Sequence, residues 1–121
     1  MELEKGPRRA ELSLVLADDR LLQELNRSYR HQDAPTDVLA FPAGPPPAAG
    51  LPELLGEVVI SVPTARRQAT EAGHDWRREI EILLVHGIMH LLGWSDEKAS
   101  QRRRMLTRQE EILAVIDREY H

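Results

Sequence analysis

Two histidines, His86 and His90, lie four residues apart in an otherwise apolar run, and a carboxylate, Asp96, follows the second histidine by six residues. Residues four apart share one face of a helix, so both imidazoles can approach a single point. Gly93 can adopt the left-handed conformation that ends a helix and reverses the chain, which would bring Asp96 to the same point. Two imidazoles and one carboxylate leave a fourth tetrahedral position open, which is the pattern of a catalytic zinc site.

The same spacing also occurs where two histidines are simply part of a packed helix, and this alternative stays open. The neighbouring side chains are apolar, however, and burying two imidazoles without partners costs roughly a few kcal/mol, which a bound ion would offset. In the metalloprotease motif His-Glu-x-x-His, the glutamate after the first histidine is the general base. Here Gly87 takes that position, so the sequence disfavours such a protease. We expect the glycine to leave room for a substrate or a backbone near the ion.

The elements that would position these residues follow from the spacing of apolar residues and from helix-capping residues. The patterns predict strands over 10–17, 37–41 and 56–61. They predict a helix over about 19–29 with Asp18 as its N-cap, a helix over 63–72, a helix that has Asp75 as its N-cap and stops at Gly93, and a last helix from Ser95 or Asp96 onwards. The apolar side of the last helix would consist of Met105, Leu106, Ile112, Leu113 and Ile116. The order β-α-β-β-α-α-α predicts an α+β fold, in which a small mixed β-sheet is covered by about four helices. The two histidines would then lie at the end of a central helix.

Most of the prolines lie in residues 42–52, where they exclude a regular helix or a central strand. We expect this segment to be a surface loop within one domain over residues 1–121, because neither flank is long enough to fold comfortably alone. The chain has no cysteine, so a metal would have to use nitrogen and oxygen ligands. The sequence has neither an apolar run of membrane-spanning length nor a segment like a signal peptide, and we expect a cytoplasmic protein with no membrane partner.

The charged residues indicate which kinds of partner the protein can bind. The formal net charge of -4 argues against an indiscriminate nucleic-acid coat protein, which is usually basic, but allows an enzyme that acts on nucleic acid. Arginines cluster at 8–9, 66–67, 77–78 and 102–104, and the planar guanidinium suits phosphate. Each cluster could equally be a solvated helix face paired with glutamates. Arg30 ends a predicted helix beside a polar loop, where it could contact an anion or compensate the helix C-terminus.

Three segments together resemble the YbeY family of bacterial endoribonucleases and ribosomal-RNA maturation factors. Residues 86–96 match the family's His-Gly-x-Leu-His-Leu-x-Gly-Tyr-Asp-His motif in most positions. Residues 25–30 and 35–42 match Leu-Asn-x-x-Tyr-Arg and Pro-Thr-Asp/Asn-Val-Leu-Ser-Phe-Pro, and 55–61 match Leu-Gly-Asp-x-x-Ile-Ser. The segments occur in the family's order with compatible spacing, and the resemblance covers about residues 10–118.

The resemblance implies metal-dependent hydrolysis of single-stranded RNA, in the maturation and quality control of ribosomal RNA. His86, His90 and Asp96 would hold one Zn²⁺ ion, with Mn²⁺ or Fe²⁺ as alternatives. Arg30 and His86 fall on residues to which the family ascribes catalytic importance, and Arg30 would bind the phosphate of the substrate. Trp94 could stack on a base near the metal. The implied partners are single-stranded RNA, ribosomal RNA and the small ribosomal subunit, and the sequence identifies no protein partner.

The metal motif departs from the family pattern at its third ligand, where the family has histidine and this chain has Asp96. Trp94 and Ser95 replace the family's tyrosine and aspartate. An aspartate is a competent ligand, but its charge would make the ion less electrophilic and could shift the preference toward manganese or iron. Glu97 is an alternative ligand one residue later. Two other functions stay open, a non-catalytic ribosome-associated metal-binding module and a metallohydrolase of another substrate class.

Overall fold

The computed structural model describes residues 10–30, 36–44, 49–50 and 53–120, whose strands and helices follow the predicted order. The strands are β1 (Ala10–Ala17), β2 (Val38–Pro42) and β3 (Glu53–Ser61), and the helices are α1 (Asp19–Arg30), α2 (Val62–Ala72), α3 (Trp76–Leu91) and α4 (Ala99–Tyr120). The predicted α+β fold is therefore confirmed. No helix in this part of the chain is long and apolar enough to cross a membrane.

The bounds of most elements follow local signals, and the strands shift beside the proline-rich segment. Asp18 and Asp75 accept hydrogen bonds from backbone N–H groups in the first turns of α1 and α3, at 2.9 and 2.8 Å, as expected of N-capping residues. β3 begins at Glu53, three residues earlier than predicted and directly after the proline-rich segment, and β2 includes Pro42, the first residue of that segment. Residues 45–48 and 51–52 of that loop lie outside the described residues.

The three strands form one mixed sheet with β3 in the centre. β1 runs parallel to β3, and β2 runs antiparallel to it. Val58, Val59 and Ile60 of β3 are at most 1% exposed, as expected of a strand covered on both faces. Val58 and Ile60 belong to one buried cluster with Leu83 of α3, whereas Val59 belongs to another with Leu22 of α1. α1 therefore covers one face of the sheet, and α2 and α3 cover the other.

Helix α4 forms an outer layer that packs on α3 rather than on the sheet. The buried cluster between these two helices contains Val85, Met89, Met105, Ile112 and Leu113. Leu106, which the sequence assigned to the apolar side, is 51% exposed, and that part of the prediction is wrong. A helix that packs on a single partner buries only a narrow stripe, and in α4 this stripe includes Gln109, which is buried.

The last helix does not begin at Ser95 or Asp96, as the sequence predicted, but at Ala99. The residues between α3 and α4 form a turn instead. Arg102 donates hydrogen bonds to the carbonyl oxygens of Asp96 and Glu97, at 3.0 and 3.2 Å. These bonds hold the turn outside the helix, so that the Asp96 carboxylate can face α3.

Asp19 links the first turns of α1 and α2. Its carboxylate accepts hydrogen bonds from the hydroxyls of Ser61 and Thr64 and, at 2.9 Å, from the guanidinium of Arg67. The Ser61 bond, followed by those from Thr64 and Arg67, lowers the pKa of Asp19 from 3.8 to about 2. The carboxylate also lies at the N-terminus of α1, where the helix dipole favours negative charge.

At Gly87, α3 lies close against the central strand of the sheet. A Cβ atom placed there would lie 2.8 Å from Cγ1 and 3.1 Å from Cγ2 of Val58, which is fully buried and cannot easily move. The room that the sequence analysis assigned to a substrate beside Gly87 is therefore occupied by a side chain of the sheet. Although the glycine also lines a surface cleft, its lack of a side chain is explained by the contact between helix and sheet.

Replacing Asp19 with asparagine should lower the free energy of unfolding by about 1 kcal/mol at pH 7, a figure that allows for the partial exposure of the carboxylate. The pKa of Asp19 is lower in the folded protein than its ordinary value. Its stabilising contribution is therefore complete above about pH 4 and is lost as the pH falls toward 2. Urea unfolding between pH 7 and pH 3 measures the difference. The control Glu71→Gln, on an exposed position of α2, should change stability by less than about 0.5 kcal/mol; a pH-independent difference at Asp19 would contradict this account.

Gly87→Ala should lower the free energy of unfolding by about 1–3 kcal/mol, because the clash with Val58 outweighs the gain of about 1 kcal/mol in helix propensity. Val58→Ala removes both methyl groups that would clash. The double variant should therefore be more stable than the sum of the two single losses predicts. Chemical denaturation of the four proteins tests this coupling, and strictly additive losses would argue against it.

Candidate metal centre

The last two turns of α3 carry His86 and His90, and the chain reverses soon after His90. Gly93 has a φ of 100°, the left-handed conformation that the sequence suggested for the end of this helix. The N–H groups of Gly93 and Trp94 donate to carbonyl oxygens of the last helical turn at 3.1 and 3.0 Å. This reversal brings Asp96 back toward the two histidines.

Three potential ligand atoms converge at this reversal. The Nε2 atoms of His86 and His90 are 3.1 Å apart, and Oδ2 of Asp96 lies 3.8 Å from the first and 3.5 Å from the second. Zinc bonds of about 2.0–2.1 Å in a tetrahedron place neighbouring ligand atoms roughly 3.3–3.4 Å apart. The residues therefore fit a single ion of this size. In the part of the chain that the structure describes, they are the one cluster of three such side chains close enough to share an ion.

Both imidazole rings are held in orientation through Nδ1. His90 Nδ1 lies 3.1 Å from the carbonyl oxygen of Trp94, and His86 Nδ1 lies 2.9 Å from Oε1 of Gln109. A carbonyl oxygen can only accept a hydrogen bond, so the ring proton of His90 lies on Nδ1 and the Nε2 lone pair points into the cluster. The amide oxygen of Gln109 has the same effect on His86. Metal-binding histidines usually have such a partner on the second ring nitrogen.

The electrostatics of the cluster favour a cation. With both ring protons on Nδ1, two Nε2 lone pairs and one carboxylate oxygen face each other at separations below 4 Å. Groups of this kind repel each other unless a proton or a metal ion lies between them. The histidine side chains are about one quarter exposed and that of Asp96 is 44% exposed, so the cluster is open to solvent on one side.

Gln109 is a residue of this centre that the sequence analysis missed. It lies on α4, within the stripe that packs on α3, and its side chain reaches His86 across the interface between the helices. The sequence feature that could have indicated this role is the position of Gln109, four residues after Met105 and three before Ile112. A polar residue at that spacing interrupts an otherwise apolar stripe, and a buried amide requires a hydrogen-bonding partner.

The cluster forms one wall of a cleft of about 460 Å³. Thr36 and Asp37, which precede β2, line the same cleft, and Glu97 also lines it. Glu97 does not belong to the cluster of three ligands, so the geometry favours Asp96 over this alternative. The cluster therefore lies in a cleft that is lined mainly by polar residues.

Of the two other residues predicted for the site, the structure describes the side chain of Trp94 but not that of Arg30. Trp94 lines the cleft and also packs against the buried cluster of α3 and α4, so its ring has a fixed position beside the histidines. Its stacking on a base stays a prediction. Arg30 is the last residue of α1, and its side chain, like residues 31–35, lies outside the described residues. Its contact with phosphate therefore also stays a prediction.

Comparison with known proteins identifies the family. The family model described as Endoribonuclease YbeY matches residues 1–117. Endoribonuclease YbeY of Moorella thermoacetica is 52% identical over 114 residues, which cover 88% of this chain and 73% of that protein. The protein of the same name from Pelotomaculum thermopropionicum is 50% identical over 111 residues, covering 89% and 73%.

A solved structure agrees with this assignment. The solution structure of TM1509 from Thermotoga maritima is similar at a TM-score of 0.54 and 27% sequence identity. The match covers 83% of this chain and 63% of the Thermotoga chain, so the present chain spans less than two thirds of that protein. The motifs, the fold and the match to the family model agree, and the chain belongs to the YbeY endoribonuclease family.

Proposed function

We propose that this chain is a single-domain, metal-dependent endoribonuclease that cleaves single-stranded RNA with one ion held by His86, His90 and Asp96. The observation that carries the proposal is the arrangement of three ligand atoms at separations of 3.1–3.8 Å, with both Nδ1 atoms engaged elsewhere. Membership of an endoribonuclease family supports RNA as the substrate.

Zinc is the ion we expect, because two imidazoles and one carboxylate with an open fourth position are typical of catalytic zinc sites. The same nitrogen and oxygen ligands also suit Mn²⁺ and Fe²⁺, which remain the alternatives. Asp96 supports binding despite replacing the family's histidine, since its Oδ2 atom lies within 3.8 Å of both Nε2 atoms. Its negative charge reduces the net charge of the site and so weakens the attraction for phosphate.

The ion and the side chains around it would have separate roles in RNA cleavage. When bound, a divalent ion supplies Lewis acidity to a phosphoryl oxygen and to water. Gln109 and the Trp94 carbonyl keep the two rings oriented, so that little rearrangement is needed when substrate arrives. Arg30 would bind the phosphate with its planar guanidinium and stabilise the charge that develops during cleavage.

For the biological role we propose the maturation and quality control of ribosomal RNA in the cytoplasm, with the small ribosomal subunit as partner. This rests on the resemblance of the three sequence motifs to the family. A non-catalytic role as a ribosome-associated metal-binding module is the second candidate. One observation favours it: Asp96 lies in the turn between α3 and α4, so a bound ion would also fasten α4 to the core.

Metal removal separates these two functions. We expect the purified protein to contain one zinc ion and to lose RNA cleavage on chelation, while its helical circular dichroism largely remains. Elemental analysis, paired with cleavage of a single-stranded RNA before and after chelation, measures both properties. Stoichiometric zinc without cleavage would favour the non-catalytic module, and undiminished cleavage after exhaustive removal of metal would reject the proposed enzyme.

Variants of the turn test the ligand assignment in the same assay. Asp96→Ala should weaken zinc binding at least about tenfold, because one of three ligands is lost. Asp96→His, which introduces the family's residue, should retain the ion. Glu97→Ala is the matched control, since it removes a neighbouring carboxylate, and it should bind zinc like the wild type. Loss of zinc in the Glu97 variant alone would reverse the assignment.

Arg30→Ala should lower kcat/KM for RNA cleavage by about 100-fold, because it removes one group that stabilises the transition state. Its zinc content should stay at the wild-type value. Arg27→Ala removes another positive charge from α1 and should keep most of the activity. If Arg30→Ala also loses the ion, or if both variants lose activity equally, the role assigned to Arg30 is wrong.

A further inference from the structure

A second pocket adjoins the metal cleft, and we infer that it binds the RNA nucleotide next to the one at the metal centre, with Arg104 contacting its phosphate. This inference rests on the proposed function. The pocket has a volume of about 270 Å³ and is lined by Leu92, Gly93, Trp94, Ser95, Gln101 and Arg104. Trp94 and Ser95 line both this pocket and the metal cleft. A single strand could therefore pass from one to the other along the turn.

The charge of this second pocket favours a phosphate group. Arg104 is exposed and makes no ion pair or hydrogen bond with the residues that the structure describes. None of the residues that line the pocket is acidic. In a chain of net charge -4, an arginine without an acidic partner in a concave surface creates a local site for an anion.

The arginine clusters at 66–67 and 77–78 behave differently. Arg67 and Arg78 form ion pairs with Asp19 and Asp117, at 2.9 and 2.8 Å. The guanidinium groups of the neighbouring Arg66 and Arg77 lie over the ring of Trp76. In the cluster 102–104, Arg102 donates hydrogen bonds to carbonyl oxygens of the turn. In contrast to these described arginines, Arg104 lines a pocket and has no ion pair or hydrogen bond with another described residue.

The remaining walls suit the other parts of a nucleotide. Oε1 of Gln101 accepts a hydrogen bond from the Lys98 N–H at 3.1 Å, which leaves the amide N–H groups as donors to a base or a ribose. Trp94 is held by its packing against α3 and α4 and offers an aromatic surface. Nothing lies within 4 Å of where a Cβ atom of Gly93 would be, so the backbone leaves space for the ligand.

The test compares Arg104→Ala with Arg103→Ala in the zinc-loaded enzyme. Both variants remove one positive charge from α4, but Arg103 does not line the pocket. The substrates are a single-stranded RNA hexamer and a dinucleotide, whose one phosphodiester is the bond to be cleaved, so that it has no second phosphate for Arg104. For the hexamer, Arg104→Ala should raise KM about tenfold with kcat and zinc content unchanged, and should reduce the slope of log KM against log salt by about 0.7. Arg103→Ala should stay within about twofold of the wild type on both substrates.

The outcomes separate this inference from the proposed function. Two results would overturn the inference that the second pocket binds RNA and would leave the proposed metal centre unaffected. One is equal KM values of Arg104→Ala and Arg103→Ala on the hexamer. The other is a rise in KM of Arg104→Ala on the dinucleotide that is as large as its rise on the hexamer. A wild-type enzyme that binds zinc but cleaves neither substrate would overturn the proposed function and this inference together. Arg104→Lys keeps the charge and should recover most of the lost affinity, which would identify phosphate as the group that is bound.

Discussion

The candidate site depends on the orientation of two imidazole rings. Because the Trp94 carbonyl and Gln109 engage Nδ1 of His90 and His86, both Nε2 atoms face the same point as the Asp96 carboxylate. Without these two hydrogen bonds the rings could rotate and the three ligand atoms would not remain within reach of one ion. The oxygen that orients one ring belongs to the turn after α3, and the other belongs to α4. The site therefore requires the turn and both helices.

The packing of the fold explains why these helices are fixed. α3 lies tightly against the central strand at Gly87, where the glycine accommodates Val58, and α4 is held on α3 by a buried apolar cluster. Asp96 reaches the histidines because Arg102 holds the turn outside the helix. Two of the three ligands thus come from α3 and the third from a turn that Arg102 holds, and the three side chains already face one point. A preorganised site of this kind needs little rearrangement to bind a metal and polarise a phosphate.

The sequence predicted the parts of the structure that have strong local signals. The caps at Asp18 and Asp75 and the reversal at Gly93 lie where they were expected, and the element order and fold class are confirmed. The features that were missed depend on contacts between distant residues. Gln109 acquires its role only because α4 packs beside His86, and the glycine at position 87 is explained by a strand that lies far away in sequence. The start of α4 was predicted too early because Ser95 and Asp96, whose residue types often cap helices, lie in the turn before the helix.

X-ray absorption spectroscopy of the zinc-loaded protein reports which atoms surround the ion and so tests whether two imidazoles and one carboxylate hold it. We expect nitrogen and oxygen atoms at about 2.0–2.1 Å from the zinc and, farther out, the scattering of two imidazole rings. Asp96→Ala should remove or alter the oxygen contribution while the signal of both rings persists in any ion that remains bound. A spectrum with fewer than two imidazoles, or with an ion coordinated by water alone, would contradict it.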